Sequence, residues 1–239
     1  MIKRIRLATR RRGLDGSEFP AAWREAVAAV AAAPRRARPS RLTASSALAD
    51  VVAEQRYAGV ALEWFDDTEH LRRFESWLGT PEGDAATARL RDTIELDASP
   101  VVVTEENVAR GADWLERRWL DGGPKLKQLA IATRADGLTL QQFLELWRSR
   151  AGKIGAVPIP EAYRGLAYVQ NHPQVEAGRD WAYDAINEVY FEQLDDLLAR
   201  IAYFERELAG SAENDLVSAN WFLAVREEPI SVAPGVLAE

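Results

Sequence analysis

The chain has no cysteine and only two histidines, His70 and His172. Without thiols there is no disulfide, no zinc–thiolate site and no cysteine nucleophile. Two histidines nearly exclude a multi-histidine metal site, and neither an HExxH motif nor an acidic calcium loop occurs. A strand followed by GxGxxG and a GxxxxGK[ST] loop are both missing, so a nucleotide cofactor has no visible cradle. No run of about 18 apolar residues exists, so nothing is expected to span a membrane. The opening twelve residues are basic, but no apolar stretch follows them, so they do not read as a secretory signal; the expected compartment is the cytoplasm. A net charge of −7 argues against a general phosphate-backbone binder. The short basic runs Arg10-Arg11-Arg12 and Arg35-Arg36-x-Arg38 read as solvated loops, not as nucleic-acid contacts.

What the chain does contain is ample apolar material. Of 239 residues 47% are apolar, and there are eight tryptophans, enough for one large core or two of ordinary size. Self-similarity organises them. Ile2 to Arg10 returns as Leu126 to Arg134, Gly13-Leu14 as Gly137-Leu138, Phe19 as Phe143 and Trp23-Arg24 as Trp147-Arg148, all offset by 124. Tyr57, Trp64, Phe65 and Asp66 return as Tyr183, Tyr190, Phe191 and Glu192 at an offset of 126, and Glu105-Glu106 returns as Glu227-Glu228 at 122. A drift of a few residues is what loop insertions produce. The chain therefore reads as two tandem copies, residues 1–120 and 121–239, joined at Asp121-Gly122-Gly123-Pro124.

Each copy reads strand, helix, strand, strand, helix, strand. The first strands alternate, with Ile5 and Leu7 (then Leu129 and Ile131) assigned to the helix side and Arg4 and Arg6 to the other. The first helices open on Asp15-x-x-Glu18 and Thr139-x-x-Gln142, the pattern of a capping box. Phe19, Trp23, Val27 and Val30 follow at helical spacing, as do Phe143, Leu146 and Trp147. Middle strands are expected at Arg41–Leu48, Gly59–Phe65, Gly165–His172 and Ala185–Phe191. Second helices carry Leu71, Phe74 and Leu78 before Gly79, and Leu197, Ile201, Phe204 and Leu208 before Gly210, both glycines suiting a C′ position. The last strands fall at Ser99–Thr104 and Ser218–Val225, with Glu105 to Trp119 expected as a helical extension. A βαββαβ unit is the ferredoxin-like motif. Its helices cover one face of the sheet, and the other would show Leu62 and Trp64 in one copy and Tyr168 and Tyr190 in the other. Such faces are too aromatic to stay wet. The predicted fold class is thus α+β: two antiparallel sheets face each other within one chain as an intramolecular barrel, with a cavity between them.

Tyr163 to Glu192 holds the candidate chemistry. Tyr168, Gln170 and His172 alternate along one strand, Glu188 and Tyr190 along the next, and all five are expected on one face. His172 suits acid–base work near neutrality, against the plainer role of a strand-end histidine before Pro173. A carboxylate at Glu188 must be paired, hydrogen-bonded or raised in pKa, and is either a proton-transfer group or half of a structural ion pair. Tyr168 and Tyr190 are candidate donors to a carbonyl or enolate, or simply an aromatic wall. Arg4 and Arg6, if inward, would hold an anionic or enolised substrate. Gln170, Thr43, Ser45, Trp64 and Trp221 complete the candidate substrate contacts. His70 reads as a solvated or capping residue.

These residues resemble the EthD-type branch of the dimeric α+β barrel proteins. The similarity lies in Ile2-Lys3, Arg10-Arg11-Arg12-Gly13-Leu14, Glu18-Phe19 and Trp23-Arg24-Glu25. It continues in Val103-Thr104-Glu105-Glu106, Tyr168 to His172, Tyr183 to Ile186 and Glu188 to Phe191, and it covers nearly the whole chain twice. The resemblance implies a cavity between paired sheets and small-molecule chemistry such as cofactor-independent oxygenation, polyketide cyclisation or lactone isomerisation, with haem in some branches. Two of the family's histidine positions depart: the late-helix position is Val27 and Ala151 here, and the strand-two position is kept only as His172, its counterpart falling near Ala47. The strand-three glutamate is kept as Glu188 but replaced by Leu62, with Glu63 next to it. One working site, in the second copy, is the expectation.

The leading expectation is a cofactor-independent enzyme acting on a hydrophobic aromatic or polyketide-like small molecule, with His172 and Glu188 moving protons and no metal. A non-catalytic binder of the same ligands, or an interaction module with a filled barrel, are the alternatives. The chain is expected to act as a monomeric pseudo-dimer with scope for further self-association, and with no nucleic-acid or membrane partner.

Overall fold

The computed structural model describes residues 1–52, 55–149, 153–154, 157–175, 180–208 and 216–231. In chain order the elements are β1 (Ile2–Ala8), α1 (Phe19–Ala28), β2 (Arg41–Ala47), β3 (Gly59–Phe65), α2 (Thr68–Leu78), α3 (Pro81–Thr93), β4 (Val101–Arg110) and α4 (Ala112–Asp121). There follow β5 (Lys125–Arg134), α5 (Leu140–Ser149), the short β6 (Lys153–Ile154) and β7 (Val157–Pro158), β8 (Ala167–Pro173), β9 (Ala185–Phe191), α6 (Leu194–Leu208) and β10 (Val217–Pro229). The fold is mixed α+β. It divides into two compact units, Met1–Ala47 with Arg56–Thr104 and Glu227–Glu239, and Leu48–Gln55 with Glu105–Arg226.

In the first unit the strands lie in the order β4, β1, β3, β2 and the end of β10, with β3 antiparallel to both β1 and β2. Helix α1 buries Phe19, Trp23, Ala26 and Val27 against this sheet. It comes close because Gly59 has no side chain: an added Cβ would stand 2.7 Å from Trp23 Nε1. The indole N–H donates to the Ser45 carbonyl at 3.1 Å. The first expected capping box does not form. Glu18 caps without a side-chain bond, and the Asp15 carboxylate accepts from Ser17 instead, at 2.7 Å from its N–H and 2.6 Å from its hydroxyl. Asp67 caps α2 by accepting from the His70 N–H at 2.7 Å. The imidazole of His70 is buried, not solvated: Nε2 lies 2.7 Å from the Arg38 carbonyl, and Nδ1 accepts from the Asp66 N–H at 3.3 Å just ahead of α2, so the ring does help to cap the helix start. Gly79 ends α2 with φ of −81°, an ordinary helical value that any residue could adopt. Helix α3 escapes sequence reading because its Ala, Gly and Thr make no apolar stripe.

Register corrects one expectation here. Arg4 stands opposite Glu63, Arg6 opposite Ala61, and Ala8 opposite Gly59, where α1 packs. Arg4 and Arg6 are therefore on the helix side. Arg4 forms a buried ion pair with Glu63 at 2.5 Å and lies 5.7 Å from the Phe74 ring of α2. Ile5 and Leu7 take the far face with Leu62, Trp64, Thr43 and Ser45, and are fully buried there. Alternation shows which residues share a face, but a paired arginine lets the charged face be the one under helices. The β1–β3 register runs without a bulge, so Glu63 stays on the helix side as well.

In the second unit the order is β10, β5, β9, β8 and the end of β4. Helix α5 begins with the expected capping box: the Gln142 N–H donates to Thr139 Oγ1 at 3.2 Å and the Thr139 N–H to Gln142 Oε1 at 2.9 Å. Phe143 and Leu144 pack on Ala132 and Ala185, while Leu197 and Ile201 of α6 pack on Leu126, Val189 and Phe191. Glu105–Arg110 continue strand β4 and are not helical, because Asn107 and Arg110 bond to the β8 segment, Asn107 Nδ2 donating to Gln170 Oε1 at 3.3 Å. The helix starts only at Ala112, and its Trp114 and Leu115 rest on Ala167, Val169 and Tyr190. Gly210 and Ala151 lie outside the described residues.

Candidate functional site

The five candidates of Tyr163 to Glu192 do not share a face. Across β8 and β9, Tyr168 pairs with Val189 and Gln170 with Asn187, whereas Glu188 pairs with Val169 and Tyr190 with Ala167. Directly opposed residues point to the same side. Tyr168, Gln170 and His172 therefore lie under α5 and α6, and Glu188 and Tyr190 lie on the far face. The physical reason is register, set by turn and packing and absent from a list of alternating residues.

On the far face Glu188 gathers three donors. Lys127 Nζ lies 2.6 Å and the Tyr190 hydroxyl 2.8 Å from Oε2, and Asn171 Nδ2 donates to Oε1 at 2.9 Å. Lys127 and Glu188 are fully buried, and a buried charge persists only when paired and hydrogen-bonded in this way. Lys127 pairs with Tyr190 across β5 and β9, which brings the ammonium 5.1 Å from that ring's centre. Asn171 also donates to the Ile186 carbonyl at 2.8 Å, while its Oδ1 is buried with no hydrogen-bond partner. Lys127 and Asn171 were missed by sequence reading. A lysine directly after an apolar strand residue, repeated as Ile2-Lys3 and Leu126-Lys127, was the signal.

The first unit carries part of this arrangement. Lys3 pairs with Trp64 and stands 4.9 Å from its ring, both buried. Two residues before Trp64 comes Leu62, where Glu188 precedes Tyr190 by two. Thr43, on the same face, donates to Glu227 at 3.1 Å, and the Ser45 hydroxyl is buried without a hydrogen-bond partner. Trp221 also takes the far face of the second unit: its neighbours Phe222 and Ala224 pack against α6, and its ring meets Tyr183 edge-on at 5.4 Å.

The helix-side residues form a separate cluster. Asn187 Nδ2 donates to the Tyr168 hydroxyl oxygen at 3.0 Å and Gln170 Nε2 to the same atom at 3.3 Å. Trp147 donates to Asn187 at 3.3 Å, and Arg148 Nε to His172 Nδ1 at 3.4 Å. Burial, with Arg148 adding to it, pushes the His172 pKa down to about 4, so the imidazole is neutral at pH 7. Burial raises Tyr168. Arg6 is lowered to about 10 by burial and by Arg4. His172 and Glu188 thus lie in two separate environments on opposite faces of the sheet. Among the described residues no group of three or more His, Cys, Asp or Glu is placed to hold a metal. No helix there is long and apolar enough to cross a membrane.

A mixed α+β fold with a buried Lys–Glu–Tyr cluster on one sheet face is the class defined so far. No protein-family model matches the chain, and no curated protein does. Solved structures do. An anthrone oxidase-like protein aligns over 100% of this chain and 96% of its own, with a TM-score of 0.57 and 13% identity. A protein provisionally named a monooxygenase from Fusobacterium nucleatum aligns over 96% and 92%, with a TM-score of 0.52 and 10% identity. A similarly named protein from Lactobacillus acidophilus covers 97% and 96%, at 0.50 and 9%. At such identities the likeness is one of fold.

Proposed function

We propose that the protein is a cofactor-independent enzyme of small-molecule metabolism, built as two tandem EthD-like ferredoxin-type repeats and active on the far face of its second unit. The observation that carries this is the buried cluster of Lys127, Glu188, Tyr190 and Asn171. The substrate is a hydrophobic aromatic or polyketide-like ketone. Glu188 removes a proton from a methylene conjugated with the carbonyl through the aromatic rings, as in an anthrone; the C–H electron pair enters the ring system, and the carbonyl pair moves to oxygen to give the enolate. Once protonated, Glu188 holds Lys127 and the Tyr190 hydroxyl less tightly, and these two donors turn to the enolate oxygen. The Asn171 Oδ1 takes a hydroxyl of the substrate. The names of the structural neighbours favour an oxidative outcome, in which dioxygen is the oxidant: a methylene becomes a carbonyl, consuming one O₂ and releasing one water.

His172 has no proton-transfer role in this reading, since it is neutral and on the other face. Anthrone is the first probe, followed by oxygen uptake and quinone absorbance. Glu188→Gln is expected to lower turnover by about 10² or more, with His172→Ala within a few-fold of wild type. Undiminished turnover in Glu188→Gln would remove Glu188 as the base. Saturable binding of aromatic ketones, with neither oxygen uptake nor deuterium exchange at the conjugated methylene, would make the protein a binder and not an enzyme.

A further inference from the structure

The helix side of the second unit contains a buried cation with only neutral hydrogen-bond acceptors and, beside it, a buried N–H donor without an acceptor. Arg200 of α6 is 5% exposed. Its Nε donates to Gln128 Oε1 at 2.6 Å and its Nη1 to the Tyr163 carbonyl, both neutral groups. No carboxylate lies within ion-pair distance of it among the described residues, and its guanidinium stands over the face of Phe204, 4.5 Å away. Gln128 spends its oxygen on Arg200, which leaves its Nε2 buried without a partner.

Gln128, Val189 and Tyr168 form one row across β5, β9 and β8. Tyr168 packs against the cluster containing Leu197 and Ile201, the residues that flank Arg200 on α6. Its hydroxyl oxygen already accepts from Asn187 and Gln170, so its own O–H is left to donate. The charged groups bearing on this hydroxyl are Arg200 and Arg110, both cations. A buried guanidinium beside an unpaired donor is costly unless an acceptor with negative charge completes it. Tyr168 is only half-buried, which gives the row an edge open to solvent.

We infer that Arg200, Gln128 and Tyr168 form a binding site for a small monovalent anion, a carboxylate or a halide, separate from the Glu188 cluster. The guanidinium supplies the charge, Gln128 Nε2 and the Tyr168 hydroxyl supply two hydrogen bonds, and Asn187 and Gln170 fix the tyrosine oxygen. The occupied site bridges α6 to the sheet.

Acetate, chloride and the neutral isostere acetamide are titrated into the full chain at constant ionic strength, with unfolding temperature and the ¹⁵N shift of the Gln128 side chain as readouts. A saturable rise with acetate and none with acetamide is expected. Gln128→Leu should weaken acetate about tenfold, and Arg200→Gln should abolish the response. An acetate response that exceeds the chloride response identifies a carboxylate site, and equal responses a halide-sized one. No saturable change with either anion, or an unchanged response in Gln128→Leu, overturns the inference even if Arg200→Gln does not fold. Enzyme assays of the Glu188 variants do not bear on it, so the two readings fail separately.

Discussion

Glu188 stands directly across from Val169, not from Tyr168 or Gln170 on either side of it. That single pairing sends Glu188 to the far face and His172 to the face beneath the helices, and it separates into two polar clusters a pair only 16 residues apart in the chain.

The first prediction concerns the buried pair. Lys127→Met leaves Glu188 with Tyr190 and Asn171 but without this cation, and is expected to cost about 3–5 kcal/mol, as is Glu188→Leu. The double variant Lys127→Met/Glu188→Leu should cost clearly less than the sum, with a coupling of about 2 kcal/mol or more in urea unfolding. Additive losses would mean that the two groups do not depend on each other.

The second concerns pH. His172 has a folded pKa of about 4, below the 6.5 it has when unfolded. Between these values the unfolded chain binds the extra proton, so stability falls as pH drops from about 6.5 towards 4 and is flat above. His172→Gln should remove that part of the pH dependence of unfolding. An NMR titration placing the imidazole near 6.5 would contradict the burial described.

Helix capping gives a third test. Thr139→Ala removes a formed cap and should cost about 1 kcal/mol, whereas Glu18→Ala, where no side-chain cap exists, should change stability by a few tenths. Equal losses would mean that the two helix starts are alike.

The fourth concerns Gly59. A methyl group there would meet Trp23 at 2.7 Å and the Ser45 carbonyl at 2.9 Å. Gly59→Ala is expected to cost about 1–3 kcal/mol by pushing α1 off the sheet. Gly59→Ala combined with Trp23→Phe should recover part of it, as judged by unfolding temperature.

Much of the architecture was legible in order. The strands Gly59–Phe65 and Ala185–Phe191 stand where alternation placed them, and Trp64, Thr43 and Ser45 do face away from the helices. These are local matters: side-chain period and apolar spacing are properties of a few neighbouring residues. Helix α3, with no apolar stripe, and the strand course of Glu105–Arg110 were not legible. The latter's Glu and Asn read as helix or loop until β8 offers them backbone and side-chain partners.

Amino-acid order alone determined which residue types are present, which alternate together, and that Lys3 recurs as Lys127 at the same place in the repeat. Only the tertiary structure decided which face each set takes. Arg4 could go under a helix because Glu63, distant in sequence, neutralises it, and Lys127 could be buried because β5 and β9 pair in the register that sets Glu188 and Tyr190 beside it. Glu188 thereby leaves the histidine it seemed to accompany and joins the lysine. Pairing between distant strands is fixed by register and by the total cost of unpaired charge, and neither quantity resides in any short stretch of the chain.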